Sequence, residues 1–385
     1  MDKQKKYKVY IDAQPLTPPR SGVGEYLKNI LKRLENNPRV YKYTFKMGLM
    51  RAFYKKPIDL DINDIKTPVV IERIIPKSVY ILLAVLGIKV PLEIFFGFND
   101  IYFFENFTTF KKIKGKSITV IHDLSYLKFP DTLSKNNRLS LNYSVKDSIK
   151  NADVIIAISN SVKSELEETF DRKDFRVIYP IIEFGENFTS HEFEEGFSDN
   201  ATKYLRKHDL EKDKYIFFIG NMEPRKNIVN LINGYVKSDG LRNNIKLVLA
   251  GANAWNNSEI LKSIKENNII SLGKVTSEEK AILFKNCLFG INVSMYEGFG
   301  MPVVESFSFG KSMLLSDIPI FEEVSEYDFY TDHTDTEDIG KKINTLIYDN
   351  ELRQRLETKS KDRFKYFNSL HQDDELLDIF DELTK

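Results

Sequence analysis

The chain has 385 residues, 42% hydrophobic and 29% charged, which is globular in composition and long enough for two ordinary domains. Lys+Arg and Asp+Glu balance at 56 each, so the basic excess usual in nucleic-acid binders is missing and no nucleic-acid partner is expected. The single cysteine, Cys287, excludes an internal disulfide and suits a reducing compartment, and the 5 histidines lack zinc-binding spacing.

The first residues, MDKQKKYKVYIDA, pass from charge directly into a strand pattern with no hydrophobic leader between, which predicts a cytoplasmic protein. In the first half the β-rich runs are 8–12, 43–48, 69–73, 100–104, 117–121, 153–159 and 175–179. A helix over 25–36 would place Leu27, Ile30, Leu31 and Leu34 on one face, and Asn160 would cap a helix over 161–170. The longest apolar stretch, Val79 to Phe98, is broken by Lys89, Pro91 and Glu93 and makes a poor membrane span. Its start, flanked by Arg73, Lys77 and Lys89, reads either as a helix packed in the first domain or as a basic amphipathic surface in peripheral contact with anionic lipid.

Residues 182–202 are polar, acidic and aperiodic, and read as the connection between domains. The strand pattern then restarts at 215–220, 245–251, 269–273, 289–294 and 312–316. Between these runs, Ile228, Leu231, Ile232, Tyr235 and Val236 form one helical stripe, and Ala281, Phe284 and Lys285 mark another. Cys287 falls inside an apolar pattern and reads as a small buried hydrophobe rather than a nucleophile. Beyond Asp349 the chain is helical and charged, with Leu376, Leu377, Phe380 and Leu383 as its apolar stripe. Strands alternating with helices twice over predict an α/β protein with parallel sheets. The expected divisions are 1–185, 203–367, and a final helix over 368–385 that returns to the first domain.

Four segments carry residues suited to chemistry. In SMYEGFGMPVVESFSFGKSMLLS, a loop holding Glu297, Gly298, Phe299 and Gly300 leads into a helix with Pro302 in its first turn and Gly310 at its end. A carboxylate accepts hydrogen bonds from two neighbouring hydroxyls, so Glu297 on a sugar diol and Glu305 on a ribose diol is one reading. A helix-capping Glu297 and a solvated Glu305 is the other. In GNMEPRKN, Arg225 and Lys226 stand where a helix begins, against the usual preference for cations at helix C-termini; a diphosphate would account for them, and a solvated basic turn is the alternative. Gly22 and Gly24 in RSGVGEY offer a weak phosphate or sugar approach point. His122, in SITVIHDLSYLKFP, follows a strand at the edge where open α/β sheets bind ligands, and reads either as a ligand contact or as a structural histidine.

Together these segments, with NADVIIAISNSVKSEL, resemble the retaining GT-B glycosyltransferases that carry an E-x₇-E motif, and most of all the bacterial mannosyl- and rhamnosyltransferase-like members that build surface polysaccharides, including O-antigen. The resemblance implies two Rossmann-like domains facing across a cleft, a nucleotide-sugar donor with GDP-mannose as first choice, and a glycan or lipid-linked acceptor. It implies retention of anomeric configuration with no metal and no cofactor. Arg225 and Lys226 would hold the diphosphate and stabilise the leaving group, while Glu297 with the backbone of Gly298, Phe299 and Gly300 would hold the sugar. Glu305 would bind the ribose, Gly22 and Gly24 would close over the phosphates, and His122 would meet the sugar near its reacting carbon. The base would lie near Gly273, Lys274 and Val275 and the loop around residues 252–255. Asn221 departs from the family, which often has Arg there, and Asp59 and Asp61 read as a surface accident rather than a metal-binding pair. An epimerase or a non-catalytic member of the same fold is the alternative, and oligomeric state is left open.

Overall fold

A computed structural model describes residues 6–17, 21–50, 60, 62, 65–72, 79, 82–83, 86–88, 90–130, 135–182, 191–254 and 256–385. The chain divides into two compact units, the first running to Ile181 and taking back Leu370–Lys385, the second spanning Ile182–Ser369. Among the described residues no helix is long and apolar enough to cross a membrane.

The first unit is built on a parallel sheet of strands β1 (Tyr7–Asp12), β2 (Tyr43–Met50), β3 (Val69–Glu72), β4 (Ile101–Phe104), β5 (Lys116–Ile121), β6 (Val154–Ala157) and β7 (Phe175–Val177). Their order across the sheet is β3-β2-β1-β4-β5-β6-β7. β4 is the sequence IYFF with every residue buried, the continuous apolar run expected of a strand covered on both faces. Helix α1 (Gly22–Asn36) lays Tyr26, Leu27, Ile30, Leu31 and Leu34 into the core. The C-terminal helix Gln372–Thr384 packs in this unit too: Phe380 meets the rings of Tyr43, Phe45 and Phe103, and the Arg39 guanidinium donates to Asp378 at 2.7 Å and Asp381 at 2.8 Å.

The second unit repeats the plan with β8 (Tyr215–Ile219), β9 (Lys246–Ala250), β10 (Ile270–Ser271), β11 (Phe289–Asn292), β12 (Met313–Ser316) and β13 (Tyr330–Thr331) in the order β10-β9-β8-β11-β12-β13. Cys287 is fully buried among Phe217, Phe284 and their neighbours, and burial pushes its thiol up to about 12, so it is an inert core residue.

Four local expectations are corrected. Helix α1 begins at Gly22 rather than Glu25, with Ser21 extended before it, because Gly22 and Gly24 in its first turn are poor helix formers and give no apolar periodicity to read. Helix α2 (Asn160–Thr169) is capped by Ser159, whose side chain accepts from the Val162 amide; Asn160 is already helical. The aperiodic stretch read as a connection contains the start of helix α3 (His191–Lys207), whose Ala201 and Leu205 pack on the second core. β13 is only two residues long and was not expected, being too short to show alternation.

Candidate functional site

In each sheet the chain leaves one central strand in one direction and its neighbour in the other, creating a switch point: β1/β4 in the first unit, β8/β11 in the second. Crevices beyond the carboxyl ends of strands at such points are where open α/β sheets bind ligands. Arg225 and Lys226 follow β8, and Glu297 follows β11, so the second switch point gathers residues 71 and 72 positions apart in sequence.

The loop after β8 forms a 3₁₀ turn, Pro224–Lys226, and then Asn227 takes φ 57° before helix α4 (Ile228–Lys237) begins. The two cations therefore stand in a turn ahead of the helix and not in its first turn. Asn227 fixes this kink by donating to the Val293 carbonyl at 3.1 Å and the His333 carbonyl at 2.7 Å. The Met295 amide donates to the Arg225 carbonyl at 3.0 Å, tying the two loops together.

Glu297 is buried and receives both cations. Lys226 Nζ donates to Oε1 at 2.5 Å and Arg225 Nη1 to Oε2 at 3.1 Å, with Ser294 Oγ 2.9 Å from Oε1. Burial alone would raise this carboxyl, but Lys226 and then Arg225 outweigh it and hold it at about 2. Arg225 also donates from Nη2 to the buried Glu223 at 2.7 Å and from Nη1 to the Tyr296 carbonyl at 2.7 Å. The cations that seemed to demand an anion are thus met by Glu223 and Glu297, a cluster of two positive and two negative side chains. Glu297 caps no helix.

Helix α6 (Met301–Phe307) starts after Gly300, whose φ of 82° suits glycine and whose added Cβ would lie 2.9 Å from the Phe321 ring. Phe299 is anchored edge-on against Phe367, with ring centroids 5.4 Å apart, so its side chain is core and only its backbone is offered to a ligand. Gly298 is buried beside it. Glu305 is buried rather than solvated, and Lys280 Nζ, from helix α5 (Ser277–Asn286), donates to its Oε1 at 2.6 Å. Val275, just before α5, is half-buried against the second core.

In the first unit, His122 directly follows β5 and is buried, with Nε2 2.7 Å from both the carbonyl and the carboxylate of Glu105. Burial works against the imidazolium, but the Glu105 charge and hydrogen bonds outweigh it, and the net shift is upward. Tyr26 of α1 stands edge-on to the imidazole at 5.3 Å, which brings the helix carrying Gly22 and Gly24 beside His122. Gly24 is buried in that helix's first turn and Gly22 is exposed. Asp123 is used locally, accepting from the Ser125 amide and hydroxyl.

Sequence reasoning missed Glu223, Glu105 and Lys280. Glu223 lies inside GNMEPRKN and could have been noticed as a counter-charge; Glu105 and Lys280 carry no local signal. Asp59, Asp61, Arg73, Lys77 and Lys89 lie outside the described residues. Among the described residues no three His, Cys, Asp or Glu side chains gather as a metal site.

Residues 200–363 match the family model described as glycosyl transferases group 1. O-antigen chain mannosyltransferase B of Escherichia coli is 25% identical over 245 residues, covering 62% of this chain and 63% of that protein. O-antigen chain mannosyltransferase RfbU of Salmonella typhimurium is 25% identical over 221 residues, 56% of each. The match thus spans less than two thirds of either relative. Among solved structures, Anabaena Alr3699/HepE in complex with UDP and glucose aligns with a TM-score of 0.74 at 16% identity, over 98% of this chain and 100% of that one. WaaG, a glycosyltransferase involved in lipopolysaccharide biosynthesis, aligns at 0.68 and 10% identity over 97% and 99%. At these identities the structural likeness concerns the fold.

Proposed function

We propose, from the premise that this is a GT-B chain carrying a group 1 glycosyl transferase domain at residues 200–363, that it transfers a sugar from a nucleotide-sugar donor to a glycan or lipid-linked acceptor in surface polysaccharide synthesis. The observation that carries this reading is the switch-point cluster of Arg225, Lys226 and Glu297 inside the matched domain.

Lys226 and Arg225 would take the donor diphosphate, sharing their charge between it and Glu297 as negative charge develops on the leaving group. Their fixed charge is the basis for proposing transfer without a metal or cofactor; retention is proposed from the family resemblance alone. Glu297 and the backbone of Gly298, Phe299 and Gly300 would hold the sugar, Glu305 the ribose, and the turn at Val275 would flank the base. Gly22, Gly24 and His122, at the first unit's switch point, are assigned to the donor's phosphates and sugar by the family resemblance.

Mannose from GDP-mannose is the first choice, supported by the two mannosyltransferase relatives; a UDP-sugar is the second, supported by the UDP bound to the HepE structure. Work at the inner face of the cell membrane is supported by exposed Leu82, Leu86, Ile88, Ile94, Phe98 and Ile113 in the first unit, where the Ile113 and Lys114 amides donate to Glu93 beside Ile94.

Thermal unfolding in the presence of GDP, UDP, dTDP and ADP, each with and without EDTA, tests the donor site. Stabilisation by one diphosphate, unchanged by EDTA, is expected and names the base. A folded protein that responds to none of them overturns the reading.

A further inference from the structure

The Lys280–Glu305 pair lies outside the diphosphate cluster and joins two elements that sequence does not connect. Glu305 stands on α6 and Lys280 on α5, 25 positions earlier. Both side chains are largely withdrawn from solvent, 18% exposed for Lys280 and 10% for Glu305, and Nζ and Oε1 are 2.6 Å apart. Lys280 reaches this position because α5 has a rigid start: Thr276 Oγ1 accepts from the Glu279 amide at 3.2 Å, and Glu279 Oε2 accepts from the Thr276 amide at 2.7 Å. That capping box fixes the first turn, and Lys280 is the next residue along it.

A glutamate has three side-chain torsions, so an untethered Glu305 would pay conformational entropy each time it received a diol. One carboxylate oxygen held by an ammonium removes that freedom and leaves the other oxygen aimed as an acceptor.

We propose that Lys280 is a positioning residue for the nucleotide's ribose: it holds Glu305 oriented for the 2′ and 3′ hydroxyls and contributes to donor affinity without touching the donor. This rests on the assignment of Glu305 to the ribose. Because α5 also follows the Val275 turn directly, one rigid helix start then sets both the base-side turn and the ribose acceptor.

The test compares the best-stabilising nucleoside diphosphate with its 2′,3′-dideoxy analogue, by calorimetry, on wild type, Lys280→Met, Lys280→Arg and Glu305→Gln. Lys280→Met keeps the apolar stem, and its unfolding temperature checks that it folds. It should lose about tenfold in affinity for the diphosphate, the scale of one charge-assisted hydrogen bond, and almost nothing for the dideoxy analogue. Lys280→Arg should recover most of the loss. With substrate, the defect should appear in donor KM while kcat holds. Equal losses for both nucleotides in Lys280→Met, or no loss, overturn the proposal. The ribose assignment itself fails separately, if wild type treats the two nucleotides alike or Glu305→Gln keeps the full wild-type preference for the diphosphate over its dideoxy analogue.

Discussion

At the second switch point the carboxylate of Glu297 is met by two permanent cations, Lys226 and Arg225, whereas at the first the carboxylate of Glu105 is met by His122, whose charge depends on pH. Both sheets have the same strand order about their switch points, so topology alone does not dictate which kind of site is built. The charges come from the loops. After β8 and β11 the chain spends polar residues on a network of fixed charge, in which every member holds another. After β4 and β5 it spends one buried acid and one imidazole, wrapped by the rings of Tyr26 and Phe107. Under the proposed function the fixed charges would face the donor diphosphate as negative charge develops on it, while a single histidine beside an acid would present one hydrogen-bonding group in one orientation.

Removing a cation from the second site should have the largest effect. Lys226→Ala is expected to lower kcat/KM by about 10²–10³-fold, the scale for deleting one preorganised electrostatic stabiliser. It also leaves Glu297 buried with one cation fewer, so a stability loss of about 3–5 kcal/mol is expected, the scale for breaking a buried ion pair. The paired change Lys226→Met with Glu297→Gln separates the two effects. It removes both charges at nearly constant shape, and should return most of the stability in urea unfolding while transfer stays low. Transfer at the wild-type rate in Lys226→Ala would show that the donor site lies elsewhere.

The next effect is in acid stability. The folded Glu297 carboxyl is held at about 2 against an ordinary 4.5, so its contribution is complete above about 4.5 and is lost as pH falls toward about 2. The whole span is on the order of 3 kcal/mol, from the usual conversion of such a difference to free energy. The check is the unfolding midpoint in urea from pH 5 down to pH 2.5, for wild type and Glu297→Gln. The wild-type curve should fall more steeply, and parallel curves would mean that Glu297 is not the group whose ionisation the cations favour.

The ease with which these sites could be read from sequence follows from where their residues lie. Strands such as YIFFI and IYFF are apolar runs bounded by turns, and their positions were legible to within a residue or two. Arg225 and Lys226 were legible because they contradict a local rule, two cations ahead of a helix, and a violated rule points to something outside the local segment. What answers that violation was not legible: Glu297 lies 71 positions from Lys226, and only the adjacency of β8 and β11 brings them together. In sequence Glu305 is indistinguishable from a solvated helix residue, because Lys280, which pairs with it, stands 25 positions earlier on another helix. Helix α3 was hidden for a different reason, since the segment leading into it is acidic and aperiodic and its packed residues, Ala201 and Leu205, fall in its second half. Motifs within one loop were visible, and pairings across loops were not.

The smallest effect belongs to the first switch point. Replacing His122 with Gln should cost about 1–3 kcal/mol at pH 6, the scale for a hydrogen bond to a charged group, and less at pH 9. The direction follows from the folded-state value lying above the ordinary 6.5. Stability from such a group is fully present below the unfolded value and is lost as pH rises through the folded one. The groups facing His122 do not blur this window: Glu105 and Asp123 are the acids that act on it, and the Tyr26 phenol is raised well above 10.0 by burial and by Glu105. Urea midpoints of wild type and His122→Gln at the two pH values provide the measurement. A gap that narrows at pH 9 means that Glu105 holds an imidazolium, and that the first unit has a pH-dependent charge where the second has fixed ones. A gap of constant size means that the pair is neutral-histidine hydrogen bonding throughout, and the contrast between the two switch points reduces to the number of charges each carries.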